Sequence, residues 1–154
     1  YLVSNHKEKN KFRLKPDIIA TNVNNQEQII FDTKWKLLDE SKEKKNYYIS
    51  QSDMYQLYAY GKKYGLNNSF SKEPKLVLLY PSNPNFEKPL DDFIYEGELV
   101  LSVIPFNLKK SLTRKNEEKE LNKILASIST TTLYDLPIQQ LNIAAEVGIQ
   151  YGDS

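Results

Sequence analysis

Residues 29–36 read Ile-Ile-Phe-Asp-Thr-Lys-Trp-Lys, and this stretch decides the fold that the sequence predicts. Its side chains alternate with a period of two, and its β-branched and aromatic content is typical of a strand with one buried face. Asp32 and Lys34 then project from the same side. A carboxylate beside an amine can bind a hard cation and stabilise the charge of a phosphate. The simpler interpretation is the solvent face of a half-exposed antiparallel strand.

The segment before this strand, residues 12–21, also has the composition of an extended chain. Pro16 donates no hydrogen bond to a neighbouring strand, so it favours a strand start, an edge position or a bulge. Residues 22–27 are polar and turn-prone, which predicts an antiparallel hairpin. The hairpin would bring Asp17 towards Asp32, and two converging carboxylates are oxygen ligands suited to Mg²⁺.

A helix is predicted over residues 50–64. Ser50 is a good N-cap with Asp53 three residues later, and Gly65 stands where a left-handed residue would end the helix. Four residues recur at helical spacing and are expected to face the core: Met54, Leu57, Tyr58 and Gly61.

Gln56 and Tyr60 are four residues apart, so they share one face of the predicted helix beside the apolar stripe. One interpretation makes Gln56 a surface amide and Tyr60 a packing aromatic. The other gives both residues a place in the site that the carboxylates and the lysine form.

The three pieces, taken in order, resemble the PD-(D/E)XK nuclease superfamily. They are Pro16-Asp17, Asp32-Thr33-Lys34, and Gln-Leu-Tyr-Ala-Tyr at residues 56–60. The glutamine and tyrosine at this spacing resemble the RecB-like branch. More closely, residues 31–36 and 49–61 resemble the McrC-type family, the endonuclease subunits of restriction systems that cut DNA carrying modified cytosine. The resemblance extends to about residue 108.

This resemblance implies a role for each motif residue. Asp17 and Asp32 would bind Mg²⁺, with Mn²⁺ as a substitute. Lys34 would orient the attacking water and stabilise the phosphate as a cation, because lysine ammonium groups are protonated at neutral pH in water. Gln56 and Tyr60 would support the site and its bound DNA. A McrB-like AAA+ GTPase subunit would be the protein partner.

One part of the family pattern has no counterpart here, namely an acidic residue on a helix before the first strand. Glu8 lies in a Lys- and Asn-rich run without a helical stripe. The chain starts at Tyr1 rather than at a methionine, so we expect a fragment whose first helix and whose DNA-selecting domains lie upstream.

The composition is that of one globular domain of 154 residues, which is long enough for a core. The chain has no cysteine, which excludes a disulfide framework and fits a reducing cytoplasm. Its sole histidine, His6, disfavours an imidazole-based catalytic triad. No apolar stretch is long enough to span a membrane, and no signal peptide is visible.

The net charge is only +1, so the whole chain does not indicate a polyanion partner, but basic residues cluster. Every second position in one run is basic: Lys7, Lys9, Lys11, Arg13 and Lys15. If that run is extended, these side chains share one face, which either faces DNA phosphates or protects an edge strand. A second cluster, weaker evidence of the same kind, is Lys109, Lys110, Arg114 and Lys115.

Two segments frame the predicted helix. Residues 37–48 are charged and predict a solvated loop near the site, with a DNA-contacting flap as the alternative. Residues 75–80 form a continuous apolar run that predicts a strand covered on both faces. A strand–helix–strand connection would make this strand parallel to the one that carries Asp32.

The remaining chain predicts further strands at residues 93–95 and 98–106, turning around Gly97. An amphipathic helix is predicted over residues 116–128, and a short helix over residues 137–147. These helices either complete the packing of the domain or dock a partner.

Together the patterns predict an α/β fold, with a PD-(D/E)XK restriction-endonuclease-like core whose mixed central sheet is flanked by helices. One domain is expected over residues 1–154, with a core at about 10–108 and a helical extension at about 109–154. The predicted function is Mg²⁺-dependent hydrolysis of DNA by the cleavage subunit of a restriction complex. Two alternatives stay open: a RecB-type exonuclease, and a catalytically silent module that binds only DNA or a partner protein.

Overall fold

The computed structural model describes residues 3–22, 27–67, 73–96, 99–107, 119 and 141–145. Within these residues, a hairpin of β1 (Val3–His6) and β2 (Lys9–Lys11) precedes a six-stranded sheet. The strands of the sheet are β3 (Ile18–Asn22), β4 (Gln28–Thr33), β5 (Lys75–Pro81), β6 (Phe93–Ile94), β7 (Val100–Phe106) and β8 (Leu141–Ala145), in the spatial order β6-β7-β5-β4-β3-β8. The helix α1 spans Gln51–Asn67. The fold is therefore α/β with a mixed sheet, as predicted.

The predicted hairpin forms between β3 and β4, which pair antiparallel with Ile18 opposite Phe31. The same register, continued by one residue, places Asp17 opposite Asp32. β4 ends at Thr33 rather than at residue 36, although the backbone N–H of Lys34 still donates to the Leu79 carbonyl of β5 at 2.9 Å.

Both faces of β4 are covered, so the prediction of one buried face is wrong. Ile30 and Asp32 are buried on one side and Phe31 on the other. The physical reason is position, because β4 lies between β3 and β5 in the middle of the sheet. Trp35, which the alternation placed on the buried face, follows the end of the strand and is 78% exposed.

Helix α1 connects β4 to β5, and these two strands are parallel, as the strand–helix–strand pattern predicts. The Ser50 Oγ accepts from the backbone N–H of Asp53 at 3.2 Å, which confirms the N-cap. The helix continues past Gly65 to Asn67, so Gly65 does not end it.

Gly61 has no side chain, and this allows the helix to lie close to the sheet there. A Cβ at this position would lie 2.5 Å from Cδ2 of Leu99 and 3.2 Å from Cδ1 of Leu76. Leu57 of the predicted stripe is fully buried, but Tyr58 is exposed, and its ring lies tilted by 52° against that of Tyr95, with the centroids 5.3 Å apart. The expectation that Tyr58 faces the core is therefore wrong.

Two apolar clusters lie on opposite faces of the sheet. The larger one packs α1 onto the sheet and includes Ile30, Leu57, Tyr60, Leu76, Leu78, Tyr80 and Leu101. The smaller one on the other face includes Ala20, Phe31, Val77, Leu79 and Ile104. Across the residues that the structure describes, no helix has the length and apolar character that crossing a bilayer requires.

The segment that precedes α1 is more structured than the predicted solvated loop. Leu38 is almost fully buried in the larger cluster and anchors the segment to the core. An irregular 3₁₀ segment follows at Glu43–Tyr48, in which Asn46, Tyr47 and Tyr48 have positive φ angles. Most of the other side chains in this segment are exposed, so its charged sequence predicts a loop and does not reveal that Leu38 is buried.

The N-terminal basic run is not one extended strand. Lys7 and Glu8 have φ angles of 50° and 63° at the turn between β1 and β2, and Phe12 has a φ of 53°. The chain therefore reverses within the run, and the alternating basic residues do not share the single face that extended chain would give them.

The predicted strands after α1 are confirmed: β5 and β7 are parallel neighbours, and β6 pairs antiparallel with β7. The short helix predicted over residues 137–147 is wrong, because β8 occupies Leu141–Ala145 and pairs antiparallel with β3. The helix propensity of residues 137–147 is weak, and the backbone N–H and C=O groups at the edge of β3 offer hydrogen-bond partners that favour a strand instead. The helix predicted over residues 116–128 lies outside the described residues, and the division at about residue 108 stays a prediction.

Candidate active site

The end of β4 and the first turns of α1 together position a lysine. The ammonium of Lys34 forms an ion pair with the Oδ2 of Asp32, two residues earlier on the strand. The same nitrogen donates to the Oε1 of Gln56 on α1 at 2.8 Å. Strand and helix residues that are far apart in sequence therefore meet at one amine, as the motif order predicts.

Asp17 approaches this group from the neighbouring strand. Its Oδ2 accepts from the backbone N–H and from the Oγ1 of Thr33, both at 2.7 Å. Thr33 stands between Asp32 and Lys34, so Asp17 lies beside the pair and opposite Asp32 in register. The hydrogen bonds from Thr33 and from Lys34 use the Oδ2 atoms of Asp17 and Asp32, respectively, and not their Oδ1 atoms.

Asp32 is a buried carboxylate, with only 3% of its surface exposed. Burial raises the pKa of Asp32, the hydrogen bond and charge of Lys34 oppose the rise, and the charges of Asp17 and Asp53 add to it. The interpretation of Asp32 as part of a solvent face is therefore wrong. A desolvated carboxylate beside other carboxylates is stabilised by nearby positive charge, which Lys34 supplies in part and a bound cation would supply further.

Gln56 and Tyr60 form a hydrogen-bonded chain behind the lysine. The Nε2 of Gln56 donates to the Tyr60 hydroxyl at 2.7 Å, and that hydroxyl donates to the backbone carbonyl of Lys15 at 2.9 Å. Burial, with a contribution from the charge of Asp32, raises the pKa of Tyr60 to about 12. Tyr60 is therefore both a core residue and a neutral hydrogen-bonding partner, and Gln56 is more than a surface amide.

Sequence reasoning missed a second group beside the first. The carboxylate of Asp53 is buried, and its Oδ2 accepts from Lys36 and from the Tyr80 hydroxyl, each at 3.0 Å. Its Oδ1 lies 3.9 Å from the Nζ of Lys34. In the sequence, Asp53 is explained by its position near the start of the helix, and Tyr80 is explained by the apolar run that contains it. Neither pattern predicts that the two side chains form a hydrogen bond.

Asp53 differs electrostatically from Asp32. Burial alone would raise the pKa of Asp53, but hydrogen bonds from Lys36, Ser50 and Tyr80 together bring it below its usual value. The site thus holds one carboxylate whose ionisation is hindered and another whose ionisation is favoured. Asp53 anchors Lys36, whereas the close ion pair of Lys34 is with Asp32.

The donor set fits Mg²⁺. Asp17 and Asp32 offer carboxylate oxygens from two adjacent strands, and Mg²⁺ commonly takes one or two carboxylates while keeping several waters. In the part of the chain that the structure describes, no group of three or more His, Asp or Glu residues is placed to hold a metal ion. The candidate site is therefore one of two carboxylates, with Lys34 beside them.

Fold and site together define a mixed α/β domain with an Asp–Asp–Lys cluster at the end of its central strand. A family model described as "McrBC 5-methylcytosine restriction system component" matches residues 1–81, which is just over half of the chain. The chain belongs to this family. The match confirms the resemblance to McrBC-type restriction systems that the motifs indicate.

Two other comparisons accompany this result. One solved structure that matches is described as a refined half-complex from a tetradecameric assembly of Thermococcus gammatolerans McrB AAA+ hexamers with bound McrC. The matched chain is 21% identical with a TM-score of 0.48, and the match covers 72% of the present chain and 25% of that chain. The present chain thus corresponds to about a quarter of the length of that relative. No curated protein matches.

Proposed function

We propose that this chain is the DNA-cutting, McrC-type part of a 5-methylcytosine restriction system and hydrolyses phosphodiester bonds with Mg²⁺. The observation that carries the proposal is the meeting of Asp32, Lys34 and Gln56, with Asp17 opposite Asp32 in register. Membership of the McrBC family supports it.

The residues divide the chemistry between them. Asp17 and Asp32 would hold Mg²⁺, which when bound lowers the pKa of water and neutralises charge on the phosphate. Lys34 places a fixed ammonium beside that phosphate and orients water by donating a hydrogen bond. Its ion pair with Asp32 and its hydrogen bond to Gln56 fix the direction of the ammonium before DNA arrives, and such preorganisation is the main source of catalysis in phosphoryl transfer.

A protein partner is part of the proposal. The matching solved structure is described as McrB AAA+ hexamers with bound McrC. By family membership we propose that a McrB-like AAA+ GTPase binds this chain and couples GTP hydrolysis to cutting. DNA is the substrate, and the cytoplasm is the proposed location.

The test is cleavage of closed circular plasmid DNA that carries 5-methylcytosine, with the full-length protein, its McrB-like partner, GTP and Mg²⁺. We expect linear and nicked products from the wild type and none from Asp32→Asn or Lys34→Gln. Glu73→Gln is the matched control, because it removes an exposed ion pair with Lys62 at 2.9 Å that lies outside the candidate site.

The same assay separates the competing functions. A RecB-type exonuclease degrades linear DNA but leaves the closed circle intact. A module that only binds DNA leaves both substrates intact while still retarding them on a gel. Wild-type activity that Asp32→Asn fails to reduce would contradict the proposal.

A further inference from the structure

Lys36 has an ammonium group to which the proposed reaction assigns no role. Its Nζ donates to the Oδ2 of Asp53 at 3.0 Å and to the Oγ of Ser50 at 3.1 Å. An ammonium has three donors, so these two bonds leave one. The Lys36 side chain is 50% exposed, against 16% for Lys34, so its remaining donor lies on a side chain that reaches the surface.

Asp53 joins this cation to the candidate active site. One oxygen of its buried carboxylate bonds Lys36, and the other lies 3.9 Å from the ammonium of Lys34. The two ammonium groups therefore flank one fixed carboxylate. A lysine side chain normally loses rotamer entropy when it is immobilised by a ligand, and here the hydrogen bonds to Asp53 and Ser50 have already restricted Lys36.

The surroundings of Lys36 favour an anion. Ser50 caps α1, whose N-terminus carries the positive end of the helix dipole. Tyr80 and Lys34 also contribute to balancing the charge of Asp53, so Lys36 is not the sole partner of that carboxylate.

We propose that Lys36, held by Asp53 and Ser50, binds the DNA backbone phosphate next to the one on which Lys34 acts. This inference rests on the proposed nuclease function. Two fixed cations on either side of one carboxylate would contact neighbouring phosphates and position the strand without reading its sequence. With a net charge of only +1, the chain depends on such local cations to hold DNA.

The experiment measures how the affinity of the full chain for a duplex oligonucleotide depends on salt. Binding is followed in Ca²⁺ buffer over a series of KCl concentrations, and cutting is measured separately in Mg²⁺. Each phosphate contact contributes about 0.9 to the slope of log affinity against log salt. We expect Lys36→Gln to reduce the magnitude of that slope by about 1, and Lys36→Arg to retain it.

A double variant distinguishes a Lys36 that contacts a DNA phosphate from a Lys36 that only neutralises Asp53. Asp53→Asn combined with Lys36→Gln removes both charges and leaves the local net charge unchanged. The slope should still fall by about 1 if Lys36 touches a phosphate. Lys62→Gln is the matched control, since it breaks the ion pair with Glu73 elsewhere on α1 and should leave the slope unchanged.

Each outcome decides the question. A double variant with the wild-type slope would show that Lys36 only neutralises Asp53, and this would overturn the inference while leaving the nuclease proposal standing if the wild type cuts DNA. A wild type that neither binds nor cuts DNA would overturn both.

Discussion

The ammonium of Lys34 donates to the side-chain oxygen of Gln56 at 2.8 Å, across 22 residues of sequence. Strand β4 supplies the donor and helix α1 supplies the acceptor. The position of the lysine therefore depends on how the helix packs on the sheet as well as on the strand. The packing of the core is therefore coupled to the geometry of the site.

Removing the amide should impair the site more than the fold. Gln56→Ala deletes an acceptor for Lys34 and a donor to Tyr60, and one hydrogen bond contributes about 1 kcal/mol to stability. We expect the free energy of unfolding to fall by about 2 kcal/mol, because two hydrogen bonds are lost, and kcat to fall by about 10- to 100-fold. Urea titration and steady-state cleavage measure the two effects.

The matched change for this prediction is Tyr60→Phe. It removes the hydroxyl that donates to Lys15 and accepts from Gln56, but it keeps the hydrogen bond from Lys34 to Gln56. We expect a comparable loss of stability with a much smaller loss of kcat. Equal losses of kcat in both variants would show that Gln56 does not act through the lysine.

Replacing the buried acid should abolish cutting without unfolding the protein. The folded-state pKa of Asp32 is raised, so its ionised form costs stability at pH values above the unfolded-state pKa of about 3.9. Asp32→Asn removes that cost and leaves Gln56 as a partner for Lys34. We expect the variant to be at least as stable as the wild type at pH 7, with the difference vanishing below about pH 4.

Urea denaturation at several pH values checks this prediction. A substantial loss of stability in Asp32→Asn at neutral pH would show that the ion pair with Lys34 outweighs the desolvation of Asp32. Loss of cutting could not then be assigned to the carboxylate alone.

Because α1 lies close to the sheet at Gly61 but not at Gly65, alanine substitutions at the two glycines should affect stability differently. Gly61→Ala would place a methyl group 2.5 Å from a Leu99 methyl, and overpacking costs about 1–3 kcal/mol. Alanine gains about 1 kcal/mol over glycine in a helix, so the net effect is zero to about 2 kcal/mol of lost stability. At Gly65 the nearest atom would be 3.5 Å away on Pro74, so Gly65→Ala should stabilise by about 0.5–1 kcal/mol.

Thermal or urea unfolding of the two variants measures the effects under identical conditions. A stabilised Gly61→Ala would mean that α1 lies farther from Leu99 than the structure shows, and the geometry of Gln56 would then also be in doubt.

Asp53, the carboxylate that anchors Lys36, should affect how the free energy of unfolding falls at acid pH. The folded-state pKa of Asp53 is lowered, so its contribution is present above about pH 4 and is lost as the pH falls through the folded-state value. We expect the free energy of unfolding to fall less steeply below about pH 4 in Asp53→Asn than in the wild type. Parallel slopes would indicate that Asp53 is not favoured as an ion in the folded protein.

The sequence predicts most of the fold because its signals are local. The alternation before Thr33, the cap at Ser50 and the apolar run at residues 75–80 each depend on near neighbours, and each leads to the observed element. The helix predicted over residues 137–147 fails because β3 offers a long-range partner that no local pattern reveals.

The candidate site was predictable only in part. Its order of carboxylates, lysine and helix pair is visible in the sequence, but burial is not, and Asp32 looks the same on an exposed strand as on a covered one. Lys36 and Asp53 lie 17 residues apart, and their contact exists only once α1 packs beside β4. Local sequence patterns therefore do not predict the contact between Lys36 and Asp53.

Mn²⁺ binding to the full chain, followed by electron paramagnetic resonance of the free ion, tests the proposed metal site. We predict that the wild type binds Mn²⁺, that Asp17→Asn and Asp32→Asn each weaken binding by at least about tenfold, and that Glu73→Gln binds as the wild type does. Binding that neither aspartate substitution changes, or no binding by the folded wild type, would contradict the central claim that these two carboxylates form a metal site.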